Sequence, residues 1–188
     1  MTIREYAVVG VCLLLVAASI GCAGKPSPAP APAPESRSFD LSLKQGMTLL
    51  ARGNYEKAAE EFRAALAANP SSAKAHNYLG LSYFHQKDYV QAGQEFEKAV
   101  ALDPSFATAY NNLGGVCAIR LQFVRAEEMY RKALSLAPDM TAACYSLGML
   151  LSTLGRREEG AEFFSRGIAL DPDFLEKHKD WLGVFSST

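Results

Sequence analysis

One interval governs this chain. Pro70, Pro104, Pro138 and Pro172 are spaced by 34 residues, and Gly46, Gly80, Gly114 and Gly148 keep the same step. The aromatic residues Phe62, Phe96, Tyr130 and Phe164 repeat with them. So do two small-residue columns, Ala58, Ala92, Ala126 and Gly160, then Ala65, Ala99, Ala133 and Gly167. Five columns aligned over four copies are an internal repeat. A period in the range of roughly 20–50 residues belongs to units that cannot bury their apolar faces alone and therefore stack.

Within a copy the pattern is helical. In the second, Leu79, Tyr83 and Phe84 mark one helix face and Ala92, Phe96 and Ala99 another. Each proline stops the preceding helix and holds the residue before it (Asn69, Asp103, Ala137, Asp171) out of the α region. The residue after it (Ser71, Ser105, Asp139, Asp173) is expected to cap the next helix through a side-chain oxygen. Turns RGN (52–54) and QKD (86–88) separate the two helices of their copies, with Asn54 and Asp88 expected as caps. The Gly and Ala columns mark close helix crossings, and the aromatic column fills the space between them.

A 34-residue period with these columns resembles the tetratricopeptide (TPR) repeat. The resemblance covers residues 39–72, 73–106, 107–140 and 141–174. It implies an all-α fold, a right-handed superhelix of four helix-turn-helix repeats. The fourth copy departs from the others. Gly160 and Gly167 replace Ala, at up to about 1 kcal/mol of helix propensity each. Arg156 and Arg157 stand where earlier copies have a cap and an aromatic, so this copy is expected to be the loosest. Beyond it His178, Trp181, Leu182 and Phe185 fall at i, i+3, i+4 and i+7. That spacing predicts an amphipathic C-terminal capping helix within 175–188, covering the last open face.

The N-terminal part is of another kind. Tyr6–Ile20 holds fifteen residues without a charge. A spanning helix needs about 20, and the shorter run fits the apolar core of a secretory signal. The SIGC sequence, Ser19–Cys22, resembles the lipobox of bacterial lipoproteins, with Ser19 where that family usually has Leu. The resemblance implies a signal peptide over 1–21, cut before Cys22, and lipidation of Cys22. Ala23 in place of Asp implies the outer membrane, facing the periplasm. An uncleaved membrane anchor is the alternative. In the linker, 22–38, the stretch KPSPAPAPAPE (25–35) is expected to be an extended polyproline-II spacer reaching roughly 30 Å.

With 19 basic and 20 acidic residues the net charge is −1, which disfavours dedicated nucleic-acid binding. Four cysteines are too few and too scattered for a disulfide scaffold or a zinc site. Cys117 and Cys144 sit at apolar positions and read as buried free thiols, with a disulfide between them as the other option. The histidines have no paired metal spacing, and His76 is expected to pack at a helix interface. Glu60–Glu61, Glu127–Glu128 and Glu158–Glu159 are neighbours that diverge around a helix, so they read as solvated convex surface. These observations point to no catalytic set, no cofactor, no metal and no small-molecule substrate.

In TPR proteins the first helix of each copy lines a concave groove for a peptide segment or a partner helix. Carried over residue by residue, the resemblance implies a groove made of Lys74, Asn77, Tyr78, Leu81, Phe84 and His85 in the second copy. The third gives Thr108, Asn111, Asn112, Gly115, Ala118 and Ile119, and the fourth Ala142, Tyr145, Ser146, Met149, Ser152 and Thr153. The first gives Asp40, Leu43, Lys44, Met47, Leu50 and Ala51. Asn77, Asn111 and Asn112 could pair with a ligand backbone, while Tyr78, Phe84, Tyr145 and Met149 could hold apolar side chains. Lys44 and Lys74 stand without the Arg partner that a carboxylate clamp for chaperone tails needs. The expected function is a non-enzymatic, lipid-anchored scaffold that binds a protein partner and supports a cell-envelope complex, as pilotins for secretins or adaptors of cell-wall enzymes do. A self-associating structural envelope module is the alternative.

Overall fold

A computed structural model describes residues 38–173. The expected signal peptide, Cys22, the linker up to residue 37 and the closing helix with Trp181 lie outside the described residues. Among the described residues eight α-helices form four hairpins: α1 Phe39–Ala51 with α2 Tyr55–Ala68, α3 Ala73–His85 with α4 Tyr89–Leu102, α5 Ala107–Ile119 with α6 Phe123–Leu136, and α7 Thr141–Thr153 with α8 Arg157–Leu170. No strand occurs among the described residues. Each helix packs on its hairpin partner, each second helix on the first helix of the next hairpin, and α1, α3, α5 and α7 meet in succession. This is the superhelix the period predicts.

The glycine column is where each hairpin closes. A β-carbon at Gly46 would lie 2.6 Å from Phe62, one at Gly80 2.6 Å from Phe96, and one at Gly114 2.6 Å from Tyr130. Those rings are fully buried, flanked by the equally buried Ala58 and Ala65, Ala92 and Ala99, and Ala126 and Ala133. The fourth hairpin corrects the expectation of looseness. A β-carbon at Gly148 would meet the Gly160 carbonyl at 3.0 Å, and one at Gly160 would meet the Gly148 carbonyl at 2.8 Å. Here backbone approaches backbone, and glycine replaces alanine because nothing larger fits. Gly167 likewise makes room for Tyr145, whose ring would stand 3.0 Å from a β-carbon there. The outer face of α8 does remain open, with Phe164 half-buried and Ile168 and Leu170 exposed.

The caps lie elsewhere than expected. The N-cap positions are Ser72, Phe106 and Met140, one residue beyond Ser71, Ser105 and Asp139. Only Ser72 of these caps with its side chain, accepting from the Ala75 N–H at 3.1 Å. The residues before proline do the polar work instead. Asn69 Oδ1 accepts from the Ser71 N–H and hydroxyl, Asp103 Oδ1 from those of Ser105 at 2.9 and 2.6 Å, and Asp171 Oδ1 from the Asp173 N–H. These are Asx turns, available to Asn and Asp and absent at Ala137. Of the caps expected on the second helices, Asp88 accepts from the Gln91 N–H at 3.0 Å, while Asn54 makes no such bond. Ser38 opens α1 by accepting from the Leu41 N–H.

Each turn inside a hairpin ends its first helix with one residue of positive φ: Gly53 (76°), Lys87 (63°), Leu121 (59°) and Gly155 (82°). The next amide reaches back five residues, Asn54 to Leu49, Asp88 to Tyr83, Gln122 to Cys117 and Arg156 to Leu151, at 2.8–2.9 Å. This is the Schellman arrangement, which uses the orphan carbonyls of the helix end.

Candidate partner-binding groove

The first helices carry the groove because they meet one another along one side of the array, and residues on their shared face have three possible fates. Some serve the joints between repeats. Asn77 is 3 % exposed, and its Oδ1 accepts from Asn112 Nδ2 at 2.9 Å, tying α3 to α5. One repeat further on, the Ser146 hydroxyl is shared between the Ala142 carbonyl of its own helix at 2.7 Å and Asn111 Oδ1 at 3.3 Å, the weaker branch linking α5 to α7. Both bonds join residues 35 apart, so they form a periodic ladder. Asn77 therefore sits behind the groove surface, and Asn112 spends a donor on it. The expectation that these amides serve a ligand backbone is corrected for Asn77 and narrowed for Asn111 and Asn112, both half-buried. The reason is energetic: a buried amide without a partner costs about 1–3 kcal/mol, so the fold satisfies it first.

A second group is absorbed by the core. Tyr145 is fully buried, with its ring 6.0 Å from that of Phe164. Burial, and secondarily the charge of Asp171, pushes its hydroxyl pKa up. Tyr145 is thus a packing residue rather than a groove contact. Tyr130, packed against Gly114 in the third hairpin, is also raised by burial. Leu43 and Ala118 are buried as well.

What remains on the inner face is half-buried or exposed: Lys74, Tyr78, Leu81, Phe84, His85, Asn111, Asn112, Gly115 and Met149. Tyr78 stacks on Phe62 with centroids 5.4 Å apart. Phe84 meets Tyr89 edge-on at 5.6 Å, and His85 stacks flat on Tyr55 at 4.6 Å. Burial lowers the pKa of His85, favouring a neutral aromatic ring. At the first repeat Asp40, Leu43, Lys44, Met47, Thr48, Ala51 and Arg52 line one open concavity. Five of these seven are residues expected there from sequence. Arg52 is an addition: it is the C-cap of α1, two helical turns beyond Lys44, and lines the same concavity. The 40, 44, 48, 52 spacing carries that signal in the sequence. The concavity thus combines apolar Leu43, Met47 and Ala51 with the cations Lys44 and Arg52 and one carboxylate, Asp40.

Elsewhere the sequence readings find their places. His76 lies at the α3–α4 interface, with Nδ1 2.6 Å from Glu95 Oε2 and Nε2 3.1 Å from the Pro70 carbonyl. Lys98 Nζ donates to the other Glu95 oxygen at 2.7 Å. Cys117 and Cys144 are free and buried, and burial raises both thiols, which makes them poor nucleophiles. Glu127 and Glu159 are not simply solvated. Arg131 and Arg156 bridge both carboxylates, joining α6 to the start of α8, and Arg131 also lies over the Phe163 ring at 5.7 Å. Arg156, standing where a cap was expected, makes this bridge instead. No group of three or more His, Cys, Asp and Glu able to hold a metal occurs among the described residues.

Known proteins fit this geometry. A family model described as tetratricopeptide repeat matches residues 43–107, and a second of the same description matches 141–174. The unmatched third copy forms the same hairpin as its neighbours. The crystal structure of MamA is similar at 25 % identity and TM-score 0.67, over 76 % of this chain and 83 % of that one. The structure titled as a functional characterization of Pseudomonas aeruginosa pilF is similar at 26 % identity and TM-score 0.67, over 79 % and 72 %. The first TPR of Spaghetti (RPAP3), bound to the HSP90 peptide SRMEEVD, shares the fold at 22 % identity and TM-score 0.61, over 64 % and 96 %. A search of curated proteins gave no match.

Proposed function

We propose that this chain, built from tetratricopeptide repeats, is a non-enzymatic scaffold that receives a segment of a protein partner on its inner face. The observation that carries this reading is what the inner face keeps after the repeats have joined. Tyr78, Leu81, Phe84 and Met149 stay partly open, Lys74 is exposed, and the concavity at α1 adds Lys44 and Arg52. Apolar side chains with a few polar neighbours on a rigid concave wall suit a peptide or a helix. The same fold holds a peptide in the Spaghetti structure.

The finer reading is a lipoprotein. Cleavage before Cys22 and lipidation there would hold the repeats in the bacterial envelope at the outer membrane, with the proline-rich stretch as spacer, where they would support assembly of an envelope complex in the manner of a pilotin or a cell-wall adaptor. The SIGC sequence supports it, as does the likeness to pilF of Pseudomonas aeruginosa. Two experiments separate the parts. Metabolic palmitate labelling should mark the wild-type chain and vanish in Cys22→Ser; label in neither chain refutes the anchor. Crosslinking in intact envelopes should capture a protein partner, and Leu81→Asp with Lys74→Glu should abolish the capture at unchanged helicity. Capture unaffected by both changes would remove the groove from the account.

A further inference from the structure

The turn between α5 and α6 differs from its three counterparts. Residues 119–125 read Ile-Arg-Leu-Gln-Phe-Val-Arg without a carboxylate, whereas the other turns carry Glu56, Asp88 or Glu158. Leu121 is 68 % and Val124 86 % exposed, the most exposed large apolar side chains among the described residues. Leu121 also occupies the positive-φ position that Gly53 and Gly155 fill in the first and last turns. A leucine there is disfavoured twice, by the left-handed backbone and by water. Most of the apolar surface of both side chains stays in water, so folding gains little from either.

Cations accompany them. Arg120 is exposed and has no ion-pair partner among the described residues, and the same holds for Lys87 and Arg157 in the matching turns of the flanking repeats. Arg125 is paired with Glu97 at 2.6 Å. Val90 and Leu154 extend the apolar character along the edge, at 55 % and 40 % exposure. Protein hot spots are aromatic or arginine anchors seated in pockets. Leu121 and Val124 protrude instead. Isolated apolar tips beside unpaired cations match a fluid anionic interface, which needs no shape complementarity.

We propose that this turn edge rests on an anionic phospholipid surface. Leu121 and Val124 enter the boundary between headgroups and acyl chains, while Arg120, Lys87 and Arg157 face lipid phosphates. The contact needs no lipid on Cys22. With that anchor in place, it fixes the edge by which the repeats lie on the membrane and leaves the inner face free.

The test uses the full-length chain carrying Val124→Trp, with vesicles of brominated phosphatidylcholine alone or mixed with phosphatidylglycerol, and reads quenching against the unmodified chain and its native Trp181. Quenching of the added tryptophan should rise with the phosphatidylglycerol fraction and fall with salt. Arg120→Glu should weaken the apparent partitioning about fivefold or more, as removal of one cation near an anionic surface does. Leu121→Asp with unchanged helicity should abolish it. Because Val124→Trp adds apolar surface, amide exchange of the unmodified chain gives a second reading, with slowing across 119–126 only when phosphatidylglycerol is present. Equal quenching and exchange with and without phosphatidylglycerol overturn the proposal. So does protection that depends on protein concentration rather than on lipid, which would assign the edge to a second copy. Vesicle flotation of the same samples reports the Cys22 anchor separately, since an anchored chain floats with phosphatidylcholine alone.

Discussion

Gly114 and Gly115 are adjacent glycines in the middle of α5, and replacing them with alanine should act in opposite directions. Either substitution removes the backbone freedom of glycine in a helix interior, worth about 0.5–1 kcal/mol in favour of alanine. At Gly115 nothing opposes that gain. The nearest atom to a new β-carbon is Tyr130 Oη at 3.8 Å, an ordinary contact. At Gly114 the β-carbon would fall 2.6 Å from Tyr130 Cε1, 2.7 Å from Cδ1 and 3.2 Å from Cγ. These atoms lie near the root of a ring that is 1 % exposed, wedged between the fully buried Ala126 and Ala133. The ring cannot swing aside, so the hairpin must open. Overpacking of this kind costs typically 1–3 kcal/mol. Gly114→Ala should therefore lose up to about 2.5 kcal/mol net, from the overpacking less the helix gain, while Gly115→Ala gains up to about 1 kcal/mol. A domain of this size shifts its midpoint by roughly 3–5 °C per kcal/mol. Thermal and urea unfolding followed by far-UV circular dichroism would place the two variants on opposite sides of the wild type. If Gly114→Ala matched Gly115→Ala in stability, the claim that the glycine column sets the helix crossing would be wrong.

Further expectations concern the joints and the surface. Asn77→Ala and Asn112→Ala should each lower stability by about 1 kcal/mol, and the double variant should lose less than the sum, because they remove one shared bond; a strictly additive urea double-mutant cycle would deny the ladder. The carboxyls of Glu159, bridged by Arg131 and Arg156, of Asp88, held by the Gln91 N–H, and of Asp103, held by the Ser105 hydroxyl, all have pKa values below their usual range. A depressed acid contributes stability above its unfolded pKa and loses it as pH falls through the folded value. Burial lowers His85, so the unfolded chain takes up that proton first and acidification costs a first increment below about pH 6.5. The carboxylates add a second below their ordinary range at about pH 4, and a decline already complete above that range would contradict their assignment. Cys117 and Cys144 should resist alkylation in the native chain and react on denaturation, as peptide mass spectrometry can read. Raising the salt concentration should weaken the Glu127–Arg131–Glu159–Arg156 bridge, so Arg156→Ala should cost less stability in high salt than in low.

The architecture was legible because a stacked repeat writes its packing into the sequence at a fixed step. The glycine, alanine and aromatic columns are the contact surfaces of one hairpin printed four times, and the structure puts each where the step implies. Local hydrogen bonding was less legible. Ser71 and Ser105 look like caps by type and position, but Asn69 and Asp103, held extended by the following proline, take their donors first. The groove was half legible. Asp40, Lys44 and Met47 emerge on the surface where the spacing sends them, whereas Asn77 and Tyr145 fall in the column of Leu43, and all three are buried. The period alone does not say which of these columns is turned toward the next repeat, because neighbouring columns lie on the same inner face of the first helices.

Sequence alone therefore determined the number of hairpins, their register and the residue class at each crossing, since each follows from the periodic need to bury one face against an identical neighbour. Tertiary structure alone decided which inner-face side chains remain for a partner, why the fourth hairpin carries glycine where the others carry alanine, and which apolar residues stand out in water at the turn before α6. Those outcomes depend on how closely particular backbones approach and on which donor finds which acceptor across a joint, and such distances exist only once the repeats have been stacked.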